Sequence, residues 1–99
     1  LGLLNQKFTR KQGSVRLIMR DRNDWDKHGD FDFHVYALVD RLNRPVLPAE
    51  MMEAVNWADF DYLGRLMLAR GSTIEIYNKP GPDMKSRPDR TIDLEAAID

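Results

Sequence analysis

The sequence predicts an α+β fold: a small, mainly antiparallel three-stranded sheet packed with two to three short helices, followed by an extended C-terminal tail. Three observations lead there. Ser14–Arg20, Asp30–Asp40 and Thr73–Tyr77 alternate apolar and polar residues with the period of a strand. Between the second and third of these, apolar residues fall at helical spacing on either side of Asn56. Beyond Tyr77, three of the five prolines fall within residues 78–90, a composition that interrupts regular structure.

A chain of 99 residues is one core's worth, able to bury about 65% of the surface that its unfolded form exposes. The sequence divides into a compact domain over 1–78 and a Pro-rich linker with a short helical tail over 79–99. No internal repeat is read from it. With no cysteine there is no disulfide framework, thiol nucleophile or thiolate metal site. The longest apolar runs are about four residues against the roughly 20 that span a bilayer, so no membrane association is expected. The amino end lacks the pattern of a secretory signal, and a cytoplasmic protein is expected.

Element by element, Leu1, Leu4 and Phe8 at helical spacing, with Lys7, Arg10 and Lys11 toward the end and Gly13 as C-cap, predict a first helix over 1–13. Strand Ser14–Arg20 follows, with Val15, Leu17 and Met19 on its inner side. The Asp- and Asn-rich stretch Asp21–Gly29 reads as a hairpin connection. In the central strand, Phe31, Phe33, Val35, Ala37 and Val39 are expected to face the core, leaving Asp32, His34, Tyr36, Leu38 and Asp40 outward. Asp40–Pro45 reads as a turn, and Pro48 suits the first position of a helix through Val55. Asn56 is expected to cap a second helix carrying Phe60, Leu63 and Met67 and closed by Gly71. Ile74 and Ile76 complete the predicted core, and Thr91–Asp99 reads as a small terminal helix.

Charge is uneven along this near-neutral chain. Residues 1–22 hold six Lys or Arg and one Asp, whereas residues 23–40 hold one Lys and five Asp. Lys7, Arg10, Lys11, Arg16 and Arg20 make a candidate nucleic-acid surface, since a basic helix and an Arg-bearing strand can track a phosphate backbone. The competing expectation is that Arg16 and Arg20 face Asp32 and Asp40 across a hairpin, where the charges cancel and fix register.

Metal chemistry has one outline. Asp30, Asp32 and His34 alternate along one strand face, and two carboxylates with an imidazole can hold a divalent ion that activates water; Glu75 joins them if its strand is a neighbour. The acidic stretch from Asp24 places Asp26, Gly29 and Asp32 at calcium-loop offsets, but His28 and Val35 stand where oxygen ligands belong. No nucleophile context and no Gly-rich phosphate loop accompany these residues. The sequence implies no cofactor, and it favours a non-enzymatic role over catalysis.

The leading expectation is therefore a protein-interaction module, a small adaptor, inhibitor or subunit that meets a protein partner or a second copy of itself. Its candidate contacts are Ile18, Tyr36 and Leu38 on an exposed strand face, and Ile92, Leu94 and Ile98 in the tail. Nucleic-acid binding is the second reading and metal-dependent hydrolysis the third. Trp57 reads as a core or edge plug.

Overall fold

The computed structural model describes residues 6–23 and 32–95. They form seven strands: β1 (Gln6–Gln12), β2 (Val15–Asn23), β3 (Asp32–Val39), β4 (Trp57–Phe60), β5 (Leu66–Arg70), β6 (Thr73–Tyr77) and β7 (Arg90–Asp93). One short helix, α1 (Ala49–Met52), lies between β3 and β4. All pairing is antiparallel and sequential, giving a three-stranded sheet β1-β2-β3 and a four-stranded sheet β4-β5-β6-β7. The α+β expectation of one sheet packed with two to three helices is thereby corrected. Two sheets make the fold, and among the described residues α1 is the only named helix.

Helical spacing was misleading in two segments. Of the predicted first helix, Gln6–Gln12 is β1 and residues 1–5 lie outside the described residues, and Gly13-Ser14 is the two-residue turn into β2 instead of a C-cap. The predicted helix after Asn56 is the hairpin β4–β5: Phe60 pairs with Leu66, and Leu63 lies exposed in the loop between them. Asn56 caps nothing helical; its Oδ1 accepts the Gly71 N–H at 2.6 Å and ties the start of β4 to the end of β5. The expected C-terminal tail supplies β7, which pairs with β6 through Ile74–Ile92 and Ile76–Arg90, while Met84 packs against the core. Strand pairing satisfies backbone groups that a short isolated helix would leave to solvent, and so overrides weak local preference.

The core lies between the sheets. Val15 and Leu17 of β2 and Tyr36 and Leu38 of β3 meet Ala58, Leu66, Leu68 and Tyr77, with Leu47, Met52 and Val55 closing one side. Residue parity on β3 is the reverse of the expectation. Tyr36 and Leu38 are buried at 5% and 1% exposure and face the second sheet, while Val35, Ala37 and Val39 share the opposite face with Ile18; there Val39, as expected, and Ile18 are buried too, and Val35 and Ala37 are half-buried. Both parities of this strand are apolar, so alternation alone could not say which meets the second sheet. Phe33, expected inside, enters the description through its register with Arg22 alone, and Phe31 lies outside the described residues.

Two loops repeat one device. In Asp40-Arg41-Leu42-Asn43-Arg44 and Asp61-Tyr62-Leu63-Gly64-Arg65, the aspartate accepts the backbone N–H of the third and fifth residues through Oδ1 and the fifth residue's Arg Nε through Oδ2. The fourth residue has positive φ in both, 63° at Asn43 and 80° at Gly64, where Asn and Gly are the tolerant choices. The chain thus contains an internal repeat that the sequence reading did not find. With these loops aligned in sequence, Tyr36 and Leu38 correspond to Trp57 and Asp59, and Ala37 and Val39 to Ala58 and Phe60.

Candidate functional site

The repeat assigns each sheet a front and a back. The front of the first sheet, bearing Tyr36 and Leu38, packs on the back of the second, bearing Ala58, Phe60, Leu66, Leu68 and Tyr77. The front of the second sheet points away from this core. Cross-strand partners share a face, so Trp57, Ala69, Ile74 and Ile92 form one row across the four strands, and Asp59, Met67, Ile76 and Arg90 form the next. Trp57 is 45% exposed, Met67, Ala69, Ile74 and Ile92 are half-buried, and Ile76 alone is buried. An aromatic with aliphatic neighbours across a sheet, and charges at two ends of one row, is the composition of a contact patch.

The expected partner-binding residues fall differently. Tyr36 and Leu38 belong to the core and offer no exposed strand face; Ile18 is buried on the back of the first sheet. The Tyr36 hydroxyl is raised above its ordinary pKa by burial, with hydrogen bonding from the Ala58 backbone acting the other way and the Asp59 charge adding to the rise. Of the tail residues, Ile92 joins the front of the second sheet and Leu94 is exposed just past β7, held by its N–H to Ser72 O at 2.8 Å. Ile98 lies outside the described residues. Trp57, expected as a core or edge plug, is instead 45% exposed; its neighbour Asn56 resembles a helix cap, which hides the hairpin that starts there. The signal available was the repeated Asp-x-Leu-x-Arg loop, which marks Trp57 as the start of a hairpin.

Of the basic residues whose side chains are described, Lys11 and Arg16 share one face of the first sheet and Arg10 lies on the other. Register places Lys11 opposite Arg16, and Arg10 opposite Leu17, on the other face. Arg10 Nε stands 3.7 Å from Asp59 Oδ1, and Arg16 donates to Asn43 Oδ1. The register does not set the anticipated Arg and Asp residues opposite one another: Arg16 lies opposite Val39 and Arg20 opposite Val35, while Asp32 lies opposite Asn23. Asp40 instead serves its own loop and Arg44, held below the ordinary carboxylate pKa by the Arg44 backbone N–H first, then by the Arg44 side chain and the Leu42 N–H. Lys7 falls at the register shift between Gln6 and Phe8 of β1, and Arg20 is placed by backbone register opposite Gln6 and Val35.

No metal centre assembles from the described residues, among which no three His, Asp or Glu side chains converge. Asp30 lies outside them, and Asp32 and His34 are placed only by register, against Asn23 and Asp21. Glu75 cannot join that strand. It sits in the second sheet, where its Oε1 accepts from Arg70 Nε and from the Tyr77 hydroxyl, each at 3.3 Å. A cavity of about 360 Å³ opens beside Tyr77 and Met84, but its charged lining mixes Lys79, Lys85 and Arg87 with Asp83 and Asp89. That mixture selects no ligand charge. No described helix is long and apolar enough to cross a membrane.

Comparison with protein-family models, with curated proteins and with solved structures gave no match.

Proposed function

We propose that this protein is a non-enzymatic interaction module whose docking surface is the front of the second sheet, centred on Trp57 with Met67, Ala69, Ile74 and Ile92 around it. The observation that carries the reading is the half-exposed Trp57 indole on an apolar sheet face. Its equivalent in the first sheet, Tyr36, is fully covered by packing. Tryptophan supplies a large rigid contact area with few rotatable bonds, and it is enriched among residues that dominate binding energy. Leu94, beyond the end of β7, extends the apolar surface toward the tail.

The test is binding of a captured partner by the parent chain and by Trp57→Glu, with both variants checked for unchanged melting. A hot-spot tryptophan predicts a loss of roughly 30-fold or more in affinity, the equivalent of about 2 kcal/mol. Partner binding that ignores Trp57→Glu, Met67→Lys and Ile92→Lys alike removes the reading.

A further inference from the structure

We infer that the occupant of this front face is a second copy of the same chain, paired front to front about a two-fold axis that runs parallel to the strands between β5 and β6. This rests on the reading of the face as a docking surface and names its partner.

The row order across the sheet carries the inference. One row runs Asp59, Met67, Ile76, Arg90 from β4 to β7, and the next runs Trp57, Ala69, Ile74, Ile92. Rotation by half a turn about an axis along the strands exchanges the two edges of the sheet. Asp59 of one copy then lies over Arg90 of the other at both ends of the first row, with Met67 and Ile76 meeting between them. In the second row the bulky Trp57 lies over Ile92, and Ala69, the small residue of the row, over Ile74. The face is therefore self-complementary in charge and in size, as an isologous interface requires. Strands of the two facing sheets run near-aligned in this arrangement, the common geometry of packed sheets.

The repeat argues separately that this face is built to be covered. Its equivalent on the first sheet is covered, by the back of the second sheet. A head-to-tail stack, in which the back of the first sheet of another copy fills the role, fits less well. There Arg16 stands opposite Val39 and reaches Asn43, so that its aliphatic stem and charge roof that end of the sheet, and Lys11 stands beside it. Asp59 Oδ1 accepts the Phe60 N–H at 2.8 Å and stands 3.7 Å from Nε of Arg10, an exposed cation at the sheet edge, so Oδ2 is the oxygen that Arg90 of the second copy would meet.

Sedimentation of the whole chain from micromolar to millimolar concentration tests the pairing. A dimer is expected, weakened roughly 30-fold or more by Trp57→Glu and likewise by Ile92→Lys, the second variant guarding against a folding defect in the first. Arg90→Glu alone and Asp59→Lys alone each weaken it, whereas an equimolar mixture of these two variants forms a dimer in preference to either alone. A parent chain that stays monomeric to millimolar concentration overturns the pairing. So does a dimer lost with Ala37→Arg on the back of the first sheet, which reports head-to-tail stacking, and so does a mixture of charge variants that does not recover association. A monomeric parent that still binds another protein through Trp57 overturns self-pairing and keeps the docking surface; indifference of all binding to Trp57 removes both.

Discussion

Asp61 and Arg65 close the β4–β5 loop through two bonds at once. Arg65 Nε donates to Asp61 Oδ2 at 2.6 Å, and the Arg65 backbone N–H donates to Asp61 Oδ1 at 2.8 Å. Asp40 and Arg44 repeat the relationship at 2.9 Å in both bonds. One carboxylate thereby organises three donors of its loop, since the N–H of Leu63 also reaches Asp61 and that of Leu42 reaches Asp40. The loops then hold the registers that place Tyr36 inside and Trp57 outside.

This bonding makes stability acid-sensitive. Partial burial alone would raise the Asp61 pKa, but the backbone N–H and side chain of Arg65 and the N–H of Leu63 outweigh it, and the net shift is downward; Asp40 is lowered as well. A carboxyl with a folded pKa below its unfolded value of about 3.9 stabilises the fold above that value and loses the contribution as pH falls through the folded pKa. Thermal melts of the parent are expected to be flat near neutrality and to drop below about pH 4. Asp61→Asn lowers Tm by several degrees at pH 7 and narrows its gap to the parent as pH falls. A gap that stays constant down to pH 2 would contradict this account.

Gly64 and Gly71 separate backbone strain from crowding. A Cβ at Gly64 would stand 2.6 Å from Gln12 Nε2 with φ at +80°, whereas at Gly71 φ is +57° and the space is open. Gly71→Ala should cost about 1–2 kcal/mol, the usual penalty of the left-handed conformation. Gly64→Ala should cost more, up to about 3 kcal/mol, because the Gln12 side chain must also move. Denaturant titration of both variants measures the order; equal losses would show that the Gln12 contact carries no cost.

At alkaline pH the governing group is Tyr77. Burial first, then the charge and hydrogen bond of Glu75, push its hydroxyl up to about 12, with Arg70 opposing. The unfolded chain loses the same proton near pH 10, so stability is complete below that value and falls as pH rises from about 10 to 12. Tyr77→Phe should remove the highest step from the tyrosinate absorbance titration. Survival of that step would assign it to another tyrosine.

Leu68 is wholly buried between the sheets beside Ala58. Leu68→Ala is expected to cost about 2–5 kcal/mol, from lost burial and the cavity left behind. Leu63→Ala, in the exposed loop, should change stability by less than about 0.5 kcal/mol. The contrast, read by thermal melting, distinguishes the two-sheet core from a helix in which Leu63 would be buried.

By itself the sequence predicted strands over Ser14–Arg20, Asp30–Asp40 and Thr73–Tyr77, which the structure has as Val15–Asn23, Asp32–Val39 and Thr73–Tyr77; it also put Val15 and Leu17 inside and turned the chain at Asp40–Pro45. Those features rest on local alternation and on turn chemistry, which act within a few residues. It left open the fate of segments whose apolar residues fit both periods. Phe60, Leu63 and Met67 match a helix face by spacing, yet Asp61 and Gly64 form a hairpin loop whose strands find partners in β5 and β6. Only the tertiary structure decided that outcome, because β5 is paired on both sides, with β4 and β6, which satisfies backbone groups that a short helix would leave in part to solvent. It also decided the candidate site. Tyr36 and Trp57 occupy equivalent places in the repeat, and what separates the buried Tyr36 from the half-exposed Trp57 is whether a second sheet lies over it. That depends on how layers stack, not on the residue or its neighbours in sequence.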